Sequence, residues 1–298
     1  MIKRTLYFGS QAYLSLKDNQ LVVKKRDDEI VTAAIEDIAY IILDSPQITV
    51  TNALLGGLLE NNCAIINCDK SHLPAGLLLP LSGNTLQSER FQAQIEASLP
   101  LKKQLWQQTI QQKILNQAVL LKSTRNAEIG NMTAWANSVR SGDVDNREAV
   151  AAAYYWKEIF PDIPDFVRDR NGVPPNNMLN YGYAILRGVV ARALVSSGLL
   201  PTLGIHHHNR YNAYCLADDI MEPYRPIVDK LVLDVLAEMD EYPTNLSTEI
   251  KAKLLSIPVL DCDIDGNRSP LMNAVSTTTA SLAKCYLGTS RKLLYPEV

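Results

Sequence analysis

Pro74-Ala75-Gly76-Leu77-Leu78-Leu79-Pro80-Leu81-Ser82-Gly83-Asn84 is the stretch at which the hydrophobic period of the chain changes. Its prolines and glycines, closing on Ser82-Gly83-Asn84, read as a linker from Pro74 to Gly83. On its N-terminal side short apolar or alternating runs recur: Arg4-Thr5-Leu6-Tyr7-Phe8, Ala12-Tyr13-Leu14-Ser15-Leu16, Gln20-Leu21-Val22-Val23-Lys24 and Ile38-Ala39-Tyr40-Ile41-Ile42-Leu43. Turn formers at Gly9-Ser10, Lys17-Asp18-Asn19 and Asp27-Asp28 separate them, so they predict strands. Asp18-Asn19 between two alternating runs signals a hairpin. Thr51 to Asn61, with Leu54, Leu55, Leu58 and Leu59 on one stripe, predicts a helix, and Cys63-Ala64-Ile65-Ile66-Asn67 a buried strand after it.

Beyond the linker the period is helical. Gln87 to about Asn126 predicts one or two long helices, and further helices fit Thr133–Arg140, Arg147–Ile159, Asn177–Ser197, Pro226–Met239 and Pro270–Leu287. The expected fold class is therefore α+β: a small β-rich domain over residues 1–82, then a larger all-α domain over residues 83–298. Between Phe160 and Pro175 runs a connector rich in Pro, Asp, Arg and Gly, long enough to be functional or mobile.

Composition narrows the function. A chain of 298 residues, 47 % hydrophobic, can bury a sizeable core. A net charge of -3 excludes a uniformly basic surface, so a nucleic-acid ligand would need a local basic patch or metal ions. Cys63, Cys68, Cys215, Cys262 and Cys285 form no CxxC pair and leave an odd one out, as expected of buried apolar residues in a reducing compartment. No export signal is visible at the N-terminus, and Arg187 and Arg192 interrupt the most apolar stretch, so the expected location is cytoplasmic, with no membrane partner.

The chemistry concentrates around Gly204-Ile205-His206-His207-His208-Asn209 and Asp218-Asp219-Ile220-Met221-Glu222-Pro223-Tyr224-Arg225. Three of the four histidines sit here. Imidazole nitrogen beside carboxylate oxygen suits a divalent metal of intermediate hardness: manganese, magnesium or zinc. Adjacent residues diverge, so at most one or two of the three histidines can face one point. Asp219 and Glu222, three apart, share a face if a helix runs through them, while Asp218 points elsewhere and Pro223 starts or kinks a helix. The bland alternative is a solvated loop followed by ordinary N-terminal helix charge. Glu148 is the second source of ligands. It opens a helix whose expected cap is Asp145 or Asn146, and its neighbours Ala151, Ala152 and Tyr155 allow close approach on one face. Its own bland reading is a first-turn glutamate facing water as a macrodipole partner.

Three strings occur in order: Asn146-Arg147-Glu148-Ala149-Val150-Ala151-Ala152-Ala153-Tyr154-Tyr155-Trp156, Leu179-Asn180-Tyr181-Gly182-Tyr183-Ala184-Ile185-Leu186, and Gly204-Ile205-His206-His207 with Asp219-Ile220-Met221-Glu222-Pro223-Tyr224-Arg225-Pro226. Together, over nearly the whole chain, they resemble the CRISPR-associated adaptation integrase, the first-numbered Cas protein, in the form found beside single-protein type II effectors. The resemblance implies a metal-dependent DNA endonuclease and integrase that inserts spacers into a CRISPR array by 3′-hydroxyl attack on phosphodiesters. It implies an N-terminal β domain for dimerisation and a C-terminal helical catalytic domain. Catalytic and metal-binding roles fall on Glu148, His207 and Glu222, with Asp219 and His208 as orienting neighbours or alternative ligands. Since histidines flank His207 on both sides, the register among them is open. Mg2+ or Mn2+ is the expected cofactor. Double-stranded DNA, a second copy of the chain, a small adaptation partner and the effector nuclease are the expected partners. Arg168, Arg170, Arg187, Arg192, Arg210 and Arg225 are the candidates for phosphate contact. Two other classes compete: a small-molecule metallophosphohydrolase, whose usual His-Asp dipeptide is absent, and a non-catalytic scaffold in which the histidine run is structural.

Overall fold

A run such as Ile38 to Leu43, apolar at nearly every position, can bury both faces only if something packs on each side of it. In the computed structural model, which describes residues 3–27, 29–70, 72, 74–163, 166–239 and 241–298, that is how it is used. The N-terminal part contains β1 (Arg4–Phe8), β2 (Ala12–Lys17), β3 (Gln20–Lys25), β4 (Ile30–Ala34), β5 (Ile38–Leu43), β6 (Ile48–Val50), α1 (Asn52–Glu60), β7 (Ala64–Cys68) and β8 (Pro74–Leu78). One sheet runs in the order β1-β5-β7-β8, with β1, β5 and β7 parallel and β8 antiparallel at the edge. A second runs β4-β3-β2-β6. Ile38, Ile41 and Ile65 face a small core with Leu14, Leu21, Leu54 and Leu58. Tyr40, Ile42, Ala64 and Ile66, on the same two strands, join the core of the helical part.

The β2–β3 hairpin turns at Asp18 and Asn19, both with positive φ (51° and 57°), the backbone a tight two-residue turn demands. Of the expected Asp27-Asp28 turn, Asp28 lies outside the described residues. Three strands went unanticipated here: β4, β6 and β8. The expected linker is one of them in its first half, because Pro74 to Leu78 pairs with β7. Edge position makes this compatible with proline, which cannot donate to a ladder.

The helical part contains α2 (Gln87–Ile95), α3 (Leu99–Arg125), α4 (Gly130–Ser138), α5 (Arg147–Ile159), α6 (Asn176–Ser196), α7 (Cys215–Met221), α8 (Arg225–Leu236), α9 (Thr248–Leu254) and α10 (Leu271–Tyr286). Ser98 caps α3, with Pro100 in its first turn, so the long expected helical stretch divides at that point. The part is not purely helical. β9 (Asp261–Ile264), β10 (Asn267–Pro270) and β11 (Pro296–Glu297) form a small antiparallel sheet with β9 in the middle. α6 is the central helix, buried along most of its length. Gly188 lets it lie against β7: a Cβ there would sit 2.9 Å from Ile66 Cδ1. No described helix is long and apolar enough to cross a membrane.

The connector after α5 is pinned. Asn176, fully buried, accepts N–H bonds from Arg168 and from the Asp169 backbone, and donates to the Val167 and Val173 carbonyls. Asn180 accepts from Arg168 and donates to the Arg170 carbonyl. Pro164 and Asp165, inside the same connector, lie outside the described residues.

Candidate active site

Four elements converge at one end of the helical part: α3, the start of α5, the loop after Leu203, and the junction of α7 with α8. The α5 start is shaped by Asp143, whose carboxylate accepts from the backbone N–H groups of Arg147 and Glu148 at 2.9 and 3.0 Å. Neither expected cap serves. Asp145 turns away to pair with Arg140, and Asn146 enters the helix in the left-handed region (φ 51°) without a side-chain cap bond. The turn closed by Asn146 N–H on the Asp143 carbonyl swings Asp143 over the helix end.

Held there, Glu148 reaches Lys113 of α3: Oε1 lies 2.6 Å from Nζ. Glu222 Oε2 lies 2.6 Å from the same nitrogen. Two carboxylates far apart in sequence therefore share one buried cation. Glu222 sits in a single 3-10 turn, Glu222–Tyr224, wedged between α7 and α8 where Pro223 interrupts the helix. Asn116, one turn after Lys113, donates to the Pro223 carbonyl at 2.7 Å and to the Pro296 carbonyl at 2.9 Å, anchoring that turn to α3. Arg225 pairs with Glu222 Oε1 at 2.8 Å and lies over the Tyr183 ring. Burial alone would raise the Glu222 pKa, but Arg225 and Lys113 outweigh it and hold the carboxyl below its ordinary range. Burial likewise opposes the Lys113 charge, yet Glu222 and Glu148 together raise its pKa.

The histidine loop is built around Asp219, which is fully buried. Its Oδ2 accepts from the backbone N–H of Ile205 (2.8 Å) and His206 (2.9 Å), and its Oδ1 from the backbone N–H of His207 (3.3 Å). Successive amides wrapped on one carboxylate form an anion nest. The loop can approach so closely because residue 204 is glycine: a Cβ would lie 2.3 Å from the His207 carbonyl oxygen and 2.8 Å from Asp219 Oδ2. His207 Nδ1 also meets Asp219 Oδ1, and this bond raises the imidazole pKa. Nε2 is thereby the ring nitrogen left for another ligand. His206 stacks flat on the buried Trp106 indole at 4.1 Å, and His207 meets the same ring edge-on at 5.5 Å. His208 is exposed and lines an outer cavity of about 400 Å³ with His207, Arg210 and Lys102.

Glu148, His207 and Glu222 are thus brought to one end of the fold, close enough that both carboxylates help raise the His207 pKa. Asp219 has both oxygens engaged by donors of the histidine loop. Asp218 does point elsewhere, in a two-point pair with Arg187 at 2.6 and 3.0 Å. Among the described residues no group of three or more His, Cys, Asp or Glu side chains is arranged to hold a metal as it stands, and Lys113 Nζ lies between the two carboxylates. The donor set nevertheless suits a cation: two buried or half-buried carboxylates converge on one positive charge.

Arg168, Arg170, Arg187 and Arg225 line a second cavity of about 380 Å³ beside Tyr183 and Met221. Arg210 lies over the exposed Tyr211 ring on the other flank. Arg192 departs from expectation. It is 9 % exposed, bonds the Asn62 carbonyl and lies over Tyr40, so it ties α6 to the N-terminal part. Lys113, Asn116 and Trp106 were not legible as site residues. The available signal was polar Lys113, Asn116 and Gln117 at helical spacing among the buried Ile110, Ile114 and Leu120 of α3.

Residues 6–256 match the family model described as CRISPR associated protein Cas1. This chain belongs to the Cas1 family. It is 36 % identical, over all of its length and 97 % of the relative's, to the CRISPR-associated endonuclease Cas1 of Neisseria meningitidis serogroup C (strain 8013). Its fold is shared with a casposase bound to integration product (TM-score 0.79, 20 % identity, 98 % of this chain and 92 % of the other). It is shared also with a chain of a Cas6-RT-Cas1–Cas2 complex (TM-score 0.77, 19 % identity, 99 % of this chain and 36 % of the other). The Cas1 fold accounts for the β-rich front and helical rear.

Proposed function

We propose that Glu148, Glu222 and His207 hold one divalent cation, magnesium or manganese, with which the chain cuts and joins the backbone of double-stranded DNA during CRISPR adaptation. The observation that carries this reading is the meeting of Glu148 and Glu222 on a single cationic nitrogen. When bound, the metal supplies Lewis-acid stabilisation of charge developing on a phosphoryl oxygen. The protein's own part is orientation. Arg225 and Asn116 hold the Glu222 turn, Asp143 holds the α5 start, and Asp219 keeps Nδ1 of His207 occupied. Attack by a 3′-hydroxyl gives strand transfer and spacer insertion; attack by water at the same site gives nuclease activity. The mixed nitrogen and oxygen donor set favours manganese at least as well as magnesium in vitro.

Phosphates flanking the reacting one are held by Arg168, Arg170, Arg187 and Arg225, with Arg210 on the opposite flank. Residues 1–82 serve as the dimerisation unit and residues 83–298 as the catalytic unit. Support for dimerisation comes from Tyr13, Ile30 and Val31, exposed apolar residues of the β4-β3-β2-β6 sheet. A Cas2-type small protein is the adaptation partner, as in the complex that shares the fold, the effector nuclease joins them, and the assembly works in the cytoplasm. Glu148→Ala, His207→Ala and Glu222→Ala should each reduce strand transfer into a CRISPR-leader duplex by about 100-fold or more while circular dichroism stays native. Wild-type strand transfer surviving excess EDTA would overturn the proposal.

A further inference from the structure

The site carries its own cation. Glu148 and Glu222 contribute two negative charges, and Lys113 and Arg225 contribute two positive ones at 2.6 to 2.8 Å. Asp218 is balanced by Arg187, whereas Asp219, held by neutral donors of the histidine loop, keeps its negative charge behind the site. Lys113 is almost wholly buried, and Glu222 more so, which leaves little solvent to screen an unbalanced charge.

We infer that the Lys113 ammonium is the resident cation of this site and makes metal uptake conditional on a nucleic-acid phosphate. This rests on the proposed metal-binding reading of Glu148 and Glu222. A divalent ion can enter between the two carboxylates only by displacing Nζ. Once it has entered, the neighbourhood holds the ion, Lys113 and Arg225 against Glu148, Glu222 and Asp219, an excess of one positive charge. A backbone phosphate brings negative charge to the place where that excess lies. Metal and DNA therefore bind cooperatively, and the free protein binds metal weakly. Because coupling between two ligands is reciprocal, DNA tightens the metal by the same factor as the metal tightens DNA. The displaced ammonium, on a flexible four-carbon stem, stays near enough to contact the incoming phosphate. Asn116 and the α3 packing stay in place, so the movement is confined to one side chain.

The test is direct Mn2+ binding to the full chain, read from the electron paramagnetic resonance of free Mn2+. It is run with and without a duplex whose 3′ ends are dideoxy-terminated, and the signal of the duplex alone is subtracted. Wild type should bind Mn2+ at least tenfold more tightly with DNA present. Lys113→Met should bind Mn2+ at least tenfold more tightly than wild type without DNA, and DNA should then add threefold or less. Equal wild-type affinities with and without DNA overturn the inference and require no variant. So does a Lys113→Met protein whose Mn2+ affinity is unchanged or weaker. Lys113→Gln, which keeps a donor toward Glu148, is read by the same criteria if the methionine variant does not fold. Absence of any Mn2+ binding sensitive to Glu222→Ala, even with DNA, would instead reject the metal site itself.

Discussion

Asp219→Asn isolates the part played by the histidine loop's buried anchor. In the native protein one carboxylate accepts four donors: the backbone N–H groups of Ile205, His206 and His207, and the His207 ring nitrogen. A carboxamide of the same shape keeps one accepting oxygen and turns an NH2 group toward the other pair of donors. At least one backbone N–H is left facing a donor at a fully buried position, and two are if the NH2 takes the place of Oδ2; the remaining bonds lose their charged acceptor. Hydrogen bonds to a charged group contribute about 1.5–3 kcal/mol each, and an unsatisfied buried donor adds cost, so the loss should be about 3–5 kcal/mol. With a urea dependence of about 3 kcal/mol per molar at the upper end for such chains, the unfolding midpoint should fall by about 1 M or more. Asp218→Asn is the internal comparison. Its partner Arg187 is 44 % exposed, and its loss should cost about 1 kcal/mol or less. Strand transfer should fall with Asp219→Asn even under conditions where the protein remains folded, since the loop that orients His207 has lost its anchor. A midpoint within about 0.2 M of wild type would refute the claim that this carboxylate organises the loop.

Further outcomes follow from the placement of single charges. Asp229 is fully buried, accepts from Tyr155 and Tyr183, and has its pKa pushed up to about 6, with burial the largest cause. The unfolded chain releases this proton near pH 4, so the folded state binds more protons between pH 4 and 6, and stability falls as pH rises through that window. Asp229→Asn should remove roughly 2–3 kcal/mol of that fall, read as the difference in urea midpoints between pH 4.5 and 7.5; equal pH slopes would contradict it. Arg168→Ala and Arg170→Ala should each weaken duplex binding and lower the salt slope by about one unit, whereas Arg192→Ala should leave the slope unchanged and destabilise the fold by about 2 kcal/mol. Fluorescence anisotropy across a salt series, with unfolding midpoints alongside, checks all three, and a reduced salt slope for Arg192→Ala would reverse the assignment.

Much of the site was legible because its residues carry unusual local patterns. Three histidines in succession, a proline directly after Glu222 and a glutamate opening an alanine-rich helix stand out against ordinary spacing. The arrangement around them did not. Asp143 rather than Asp145 or Asn146 caps α5, because one left-handed residue redirects the chain and cap geometry depends on that turn. Arg192 looked no different from Arg187 along the helix. One faces the N-terminal sheet and the other a cavity, a difference of orientation that composition does not encode. The strands β8, β10 and β11 were missed for a related reason: short edge strands are stabilised by their neighbours' hydrogen bonds more than by their own pattern.

Local periodicity and turn chemistry were enough to determine a β-rich front, the Asp18-Asn19 hairpin, the helical rear and the residue types able to bind a cation. Only the tertiary fold decided that Glu148 and Glu222 meet, that Asp219 serves the histidine loop, and that Lys113 stands between the two carboxylates. The reason is physical. Hydrophobic period and backbone propensity act over a few residues, whereas the pairing of charges depends on which helices pack together. Burial then makes each such pairing obligatory, since a carboxylate removed from water must find a partner wherever the fold delivers one.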